Sequence, residues 1–315
     1  MENAAPCEVS FAIACYNALP YMDAAIESAL AQTDVTVELL VVDDHSTDGS
    51  MAHAEEWRSR DPRVRVFRTL ENGGPGAARN VAIENMRGEW FAVLDSDDLL
   101  VADRSRKLID RAVAFGADMI ADDLILFGEG LQDQSFLPTS LAEDGRWIDP
   151  DVYFSSTVMF GRQPNLGFLK PMIRKDVLDA NCIRYNPDLR IAEDDELIVR
   201  LLLSGARYYL WPEAGYRYRK HEKSISHRLS HSNAHMMLQS ERALRRDLEE
   251  AGLASHAYLN RFRSIQHAEA FTRSIEALKD RRPLAALTPF MASPAAIRHY
   301  AMPIASRLNR LVGNN

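Results

Sequence analysis

The chain has 315 residues, 46% apolar and 26% charged, with a formal net charge of −8. That length allows one large domain or two modest ones with ample core, the composition is that of an ordinary soluble globular protein, and the acidic balance argues against nucleic acid as the main partner. Cys7, Cys15 and Cys182 are odd in number and far apart. They fit neither a zinc pattern nor a disulfide framework and suit a reducing cytoplasm. No basic stretch precedes an apolar one at the N-terminus, so no signal peptide is expected. No uninterrupted apolar run is long enough to span a bilayer.

Residues 9–14 read as a strand, broken by Tyr16-Asn17-Ala18-Leu19-Pro20. Residues 21–32 have helical apolar spacing through Met22, Ala25, Ile26, Ala29 and Leu30. Residues 37–42 are a second buried strand, ended by Asp43-Asp44. Ser46-Thr47-Asp48-Gly49 is a turn and N-cap, with helix to about Arg60. Residues 64–67 are a third strand, and a loop with Asn72-Gly73-Gly74-Pro75-Gly76 leads into a helix over 77–86. Phe91-Ala92-Val93-Leu94 is a strand that ends abruptly in Asp95-Ser96-Asp97-Asp98. Residues 118–127 suggest a strand pair and 128–150 a loop. A helix over 176–180, a second from Glu196 to Ser204 and a strand over 207–210 follow. After about His235 the pattern is purely helical. Strands alternating with helices imply right-handed crossovers and a mostly parallel sheet, an α/β fold.

In a parallel sheet the strand C-termini share one edge, where open α/β sheets bind ligands. Tyr16-Asn17, Asp43-Asp44 and Asp95-Ser96-Asp97 therefore converge although they lie far apart in sequence. Carboxylates this close repel and call for a cation. Oxygen ligands select hard ions such as Mg²⁺ or Mn²⁺, usually shared with substrate phosphates. The other reading of residues 95–98 is a turn or N-cap leading into Leu99-Leu100. The 72–76 loop puts glycines before a helix N-terminus, where backbone N–H groups can approach an anion; an ordinary strand-to-helix turn would look the same. It is neither a Walker A loop nor a dinucleotide fingerprint. Glu193-Asp194-Asp195-Glu196 opens a helix, where acids complement the dipole. Alternatively, one carboxylate there is a general base whose pKa is raised by its like-charged neighbours. His221, in Arg217-Tyr218-Arg219-Lys220-His221, is either a plain surface histidine or a metal ligand beside cations that hold phosphates.

Taken in order, Cys15-Tyr16-Asn17, Val41-Val42-Asp43-Asp44-His45-Ser46-Thr47-Asp48, Asn72-Gly73-Gly74 through Ala78-Arg79-Asn80, Leu94-Asp95-Ser96-Asp97-Asp98, Ala192-Glu193-Asp194-Asp195-Glu196-Leu197 and His221 resemble family 2 glycosyltransferases. The resemblance runs from about residue 9 to 226, and more narrowly it is similar to bacterial exopolysaccharide enzymes of the succinoglycan type. It implies a GT-A fold, a Rossmann-like, mostly parallel sheet flanked by helices, over residues 1–230, with a helical C-terminal region over 231–315. It implies that Ala14, Tyr16 and Asp44 hold the nucleobase and ribose end of a UDP-sugar, with Asp95 facing the ribose. Asn17, Asn72, Gly73, Gly74, Arg79, Ser96 and Glu193 would be further donor contacts. Asp97 and His221 would bind Mg²⁺ or Mn²⁺, and Asp194 would be the catalytic base. The implied reaction is inverting transfer of glucose to a hydroxyl of a growing, lipid-linked oligosaccharide, forming a β-linkage. The implied location is the cytoplasm, peripheral at the inner face of the plasma membrane; a homodimer is left open. Two departures are His45, where the family often has Gly, and Glu222-Lys223-Ser224-Ile225-Ser226 after the histidine, in place of a Pro-Gly-Ser form.

The C-terminal stretch from 279 carries Lys279, Arg281, Arg282, Arg298, Arg307 and Arg310 against Asp280 alone, mixed with apolar residues and Pro283, Pro289, Pro294 and Pro303. It reads equally as a membrane-surface segment, which would suit an acceptor on a polyprenyl diphosphate carrier, or as a helical wrap over the core. Two rival functions remain: a nucleotidyltransferase making sugar nucleotides, and a non-catalytic nucleotide-sugar-binding scaffold. An NAD dehydrogenase fails for want of the fingerprint.

Overall fold

The computed structural model describes residues 7–138, 145–221, 229–250 and 252–300. The tail positions Pro303, Arg307 and Arg310, and the segment 222–226, lie outside the described residues. The chain divides into two compact units, Met1–Tyr153 with Pro164–Ser224, and Phe154–Gln163 with Ile225–Asn315. Residues 154–163 thus group with the helical unit although in sequence they fall inside the 1–230 stretch.

The first unit is built on β1 (Val9–Cys15), β2 (Val37–Asp43), β3 (Val64–Arg68), β4 (Trp90–Val93), β5 (Leu99–Leu100), β6 (Met119–Gly128), β7 (Leu131–Ser135), β8 (Arg146–Ile148), β9 (Met172–Arg174) and β10 (Tyr208–Arg219). The sheet order is β3-β2-β1-β4-β9-β6-β10-β5, with β7 on β6 and β8 on β10. β3, β2, β1 and β4 are mutually parallel, and β6 and β10 are parallel to each other. β9 runs antiparallel between β4 and β6. β1 and β2 are buried along nearly their whole length, as strands of a parallel sheet covered on both faces must be. The helices of this unit are α1 (Met22–Leu30), α2 (Ser50–Arg60), α3 (Gly74–Asn85), α4 (Arg104–Phe115), α5 (Pro150–Ser156), which crosses into the second unit, α6 (Lys175–Ala180) and α7 (Glu193–Leu203).

Four differences from the sequence reading have physical causes. Residues 118–127 form one long strand, β6, rather than a pair, because Asp122 and Asp123 are satisfied inside it. Asp122 is bound by Arg104 and by the Gly215 N–H at 2.9 Å, and Asp123 accepts the N–H groups of Leu124 and Leu137. The expected loop over 128–150 holds β7 and β8, edge strands whose residues are mostly exposed and so carry little apolar pattern. α3 starts at Gly74, three residues earlier than expected, with Pro75 in its first turn, where a missing N–H is harmless. α7 likewise starts at Glu193, so all four acids sit in its first turn.

The second unit contains α8 (His231–Glu250), α9 (His256–Lys279) and α10 (Pro283–Ala292), followed by a 3₁₀ segment Pro294–Tyr300. Ser255 caps α9 by accepting the Tyr258 N–H at 3.1 Å. α8 and α9 are tied by Arg261, whose Nε donates to Glu241 Oε1 at 3.1 Å, and by the Tyr258 hydroxyl on the Glu241 carbonyl at 3.1 Å. No helix among the described residues is long and apolar enough to cross a membrane.

The side chains of Arg104 and Asp122 are 1% and 2% exposed and 2.7 Å apart. Arg104 Nη2 also donates to the Lys170 carbonyl at 2.7 Å, so the pair fixes the loop that enters β9. Removing one partner strands a buried charge: Arg104→Met is expected to lower stability by about 3–5 kcal/mol, read as a lower urea midpoint, whereas the double replacement Arg104→Met/Asp122→Leu recovers much of the loss.

Candidate active site

The sheet brings the ends of β1, β2 and β4 to one edge. Near the end of β1, Ala14 is half-buried, and beyond the strand Tyr16 and Asn17 are exposed, Tyr16 by 53%. Asn17 has a φ of 53°, a left-handed conformation that asparagine tolerates. Its carboxamide oxygen accepts the Thr47 N–H at 2.8 Å, which ties the end of β1 to the turn after β2. His45 has a φ of 62°. That left-handed backbone is the physical reason a glycine suits this position; here His45 Nε2 lies 2.9 Å from the Thr69 carbonyl.

The glycine loop forms the start of its helix rather than a loop ahead of it. Gly74 and Gly76 lie within the first turn of α3, and the anion at that helix end is Asp44. One Asp44 oxygen accepts the Gly73 N–H at 2.8 Å and the Thr69 hydroxyl at 2.9 Å, and the other accepts the Gly74 N–H at 2.7 Å. A carboxylate at a helix N-terminus satisfies otherwise unpaired donors and opposes the dipole. Asn72 is exposed, gives its amide to the Asp44 carbonyl and is held by Arg190. Gly74 has a φ of 83°, and a Cβ there would meet Arg190.

Beyond β4, Asp95, Ser96 and Asp97 are half-buried and Asp98 turns inward. Asp98 is 1% exposed; it accepts the Tyr216 hydroxyl at 2.9 Å and the Arg219 N–H at 2.6 Å. Burial, with Asp95 and Asp97 nearby, pushes its carboxyl well above the usual range. The same Tyr216 oxygen accepts the Asp95 N–H at 3.1 Å, and Arg219 Nε donates to the Asp97 carbonyl at 2.6 Å. The end of β10 thus clamps the acidic turn. Ser96 is half-buried between the two outward carboxylates.

Asp97 and His221 come together, with His221 Nε2 2.7 Å from Asp97 Oδ2. The imidazole is stacked on Tyr21, ring centroids 5.1 Å apart, and its Nδ1 is buried without a hydrogen-bond partner among the described residues. One carboxylate and the imidazole Nε2 beside it fit a divalent ion that takes its remaining ligands from phosphate and water. No group of three or more potential metal-binding side chains converges among the described residues.

The second acidic cluster meets the first through two cations. Arg79 donates to Asp95 at 2.7 Å, Glu193 at 2.6 Å and Asp194 at 2.8 Å. Lys170 Nζ lies 2.9 Å from Asp95 and 2.7 Å from Asp194. Asp95 and Asp194 are thus joined by Arg79 on one side and Lys170 on the other. Arg79 is 3% exposed, and all but its Nε is engaged by these carboxylates, Glu193 among them. The expectation that like charges raise Asp194 is corrected. Burial alone would raise its carboxyl, but Arg79 and Lys170 outweigh it and hold it below the usual range. Burial raises Glu193 instead.

Lys170 is the residue sequence reasoning missed. Its one signal was a lysine alone in an apolar run, Leu169-Lys170-Pro171-Met172. Tyr21 and Tyr216 were missed for a related reason: they act on a cluster distant in sequence. Arg219, expected as a cation on phosphates, instead holds the Asp97 carbonyl.

Burial opposes it, but Lys170 and Arg79 bring the Asp95 carboxyl from 3.8 down to about 2. Such a group adds stability that is present above pH 3.8 and lost as the pH falls through about 2. Lys170→Met is therefore expected to cost about 3 kcal/mol or more at pH 7. The cost should shrink steadily below about pH 4, where protonated carboxyls no longer need the cation. Urea unfolding of both proteins at the two pH values measures this.

The Glycosyl transferase family 2 model matches residues 10–163. The succinoglycan biosynthesis protein ExoO of Rhizobium meliloti (strain 1021) is 40% identical over 307 residues, 96% of this chain and 87% of that protein. Among solved structures, S. aureus TarS 1-349 in complex with UDP-GlcNAc superposes with a TM-score of 0.62 at 20% identity, covering 91% of this chain and 92% of that one. The mannosyltransferase PcManGT from Pyrobaculum calidifontis, in complex with GDP-Man and Mn²⁺, gives 0.56 at 16% identity, covering 97% and 83%. These two carry the fold, a GT-A sheet with flanking helices. With a parallel sheet that gathers two acidic clusters at one edge and a relative this similar over nearly its whole length, the chain belongs to glycosyltransferase family 2.

Proposed function

We propose that the enzyme transfers glucose, with inversion, from a UDP-sugar to a hydroxyl of a lipid-linked oligosaccharide in exopolysaccharide biosynthesis, forming a β-linkage. The observation that carries the reading is the juxtaposition of Asp95, next to Asp97, with Asp194 through Lys170 and Arg79. Exopolysaccharide biosynthesis is supported by the succinoglycan relative, and a UDP-sugar by the TarS complex with UDP-GlcNAc.

Tyr16 offers an exposed ring at the end of β1 for stacking on the base. Ala14, Asn17, Asp44 and the 72–74 loop line the same edge, with Asp95 and Ser96 toward the ribose. Asp97 and His221 would hold Mg²⁺ or Mn²⁺, an ion also bound in the PcManGT complex. When bound, it supplies positive charge to the leaving diphosphate.

Asp194 accepts the acceptor's proton. Arg79 and Lys170 hold its carboxyl below the usual range, which favours the ionised form that can take a proton. The same cations make it a weak base. That suffices when the proton leaves late, as the hydroxyl oxygen bonds to the anomeric carbon and becomes acidic. The oxygen attacks from the face opposite UDP, which inverts the centre.

The test is UDP release from a panel of UDP-sugars with Mg²⁺, Mn²⁺ or chelator. Release should require the metal and favour one sugar. Asp97→Asn should lose the metal dependence and most of the activity. Asp194→Asn should still bind the donor but turn over on the order of a hundredfold or more slower. An α-product from the α-linked donor would overturn the inverting mechanism. Pyrophosphate release would indicate a nucleotidyltransferase, and donor binding without turnover a scaffold.

A further inference from the structure

The exposed apolar side chains of the second unit are concentrated on α10 and the segment after it. Leu284 is 82% exposed, Leu287 63%, Met291 86% and Ile297 60%. On a helix of 3.6 residues per turn, Leu284, Leu287 and Met291 fall within about 60° of one another. Ala286 and Pro289, on the opposite side, are buried. The helix therefore has an inner face packed in its own unit and an outer stripe of large apolar groups left open. Isolated exposed leucines are ordinary, but a stripe along one helix face is the mark of an interaction surface.

The surroundings of the stripe name its partner. Lys279, Arg281, Arg282 and Arg298 are all exposed, against one acid, Asp280, which is already paired with Arg282. The rest of the chain is acidic, so this is a local reversal of sign. A two-fold contact between copies of the chain would bring the same cations face to face, and like charges across an interface are unfavourable. A surface that is apolar beneath and negatively charged above satisfies both halves of the pattern. That is the layering of an anionic lipid bilayer, and apolar stripes flanked by Lys and Arg are how interfacial helices lie on one.

We propose that the outer face of α10, with Ile297 and the flanking basic residues, docks this enzyme on an anionic lipid surface. The inference stands on the second unit alone and does not need the transferase chemistry. The helix lies flat at the headgroup level, with Leu284, Leu287 and Met291 in the acyl boundary and the cations on the phosphates.

The full chain is sedimented with vesicles of phosphatidylcholine alone and with vesicles carrying about one-third phosphatidylglycerol. Wild type should pellet with the anionic vesicles, far less with the neutral ones, and less as salt rises. Leu284→Ser/Leu287→Ser/Met291→Ser and, separately, Arg281→Glu/Arg282→Glu should each weaken binding on the order of tenfold or more. All these side chains are exposed, so the melting temperature should hold, as should UDP release from donor alone. Failure of the docking idea thereby remains distinct from failure of the transferase reading. No pelleting of wild type, equal pelleting of the serine variant, or equal binding to neutral vesicles would overturn the proposal. So would a concentration-dependent dimer lost in the serine variant, which would assign the face to self-association.

Discussion

Everything at the sheet edge depends on neutralising carboxylates that the fold forces together. Asp95 comes from the end of β4, and Glu193 and Asp194 from the first turn of α7. Two ionised carboxylates a few ångströms apart repel by about 4 kcal/mol at the effective dielectric near a protein surface. Arg79 and Lys170 turn that repulsion into a closed ring of short ion pairs. Each cation is itself buried, and burial would depress Lys170, but Asp194 and Asp95 reverse the direction and keep it charged. Removing one cation leaves its carboxylates with uncompensated charge.

That ring is held from behind by the sheet. Arg104 reaches across to Asp122 in β6 and to the carbonyl of Lys170 itself, so a buried pair in the core determines where the ammonium points. Tyr216 in β10 serves the other half, bonding both Asp95 and Asp98. Asp98, whose carboxyl burial pushes well above the usual range, and Tyr216 anchor the inner side of the turn, which leaves Asp95 and Asp97 as its outward carboxylates. The acidic motif thus divides its labour by burial: the inner residue shapes the turn, and the outer ones carry charge to the edge.

The glycine loop illustrates how one physical rule can be satisfied in an unexpected way. A glycine-rich helix start attracts an anion, because unpaired N–H groups and the dipole demand one. Here the anion is Asp44, delivered by the neighbouring strand. The loop is thereby locked against β2, so residues 72–74 present a fixed rim rather than an open cradle.

The sequence alone determined the α/β alternation, because buried parallel strands such as Val37–Asp43 must be continuous apolar runs. It also located the two acidic clusters, since polar residues at strand ends and helix starts interrupt that pattern sharply. It could not reveal β7 and β8, whose half-exposed edge residues obey no strong periodicity, nor the unity of β6, whose two buried aspartates look like a break until their partners are known. It could not foretell the sign of the Asp194 shift. That sign depends on Arg79 and Lys170, which stand far from it along the chain and reach it only through the packing of α3, α7 and the strand that follows Lys170. Local pattern sets which elements form; long-range pairing in a low-dielectric interior decides the charge each residue carries.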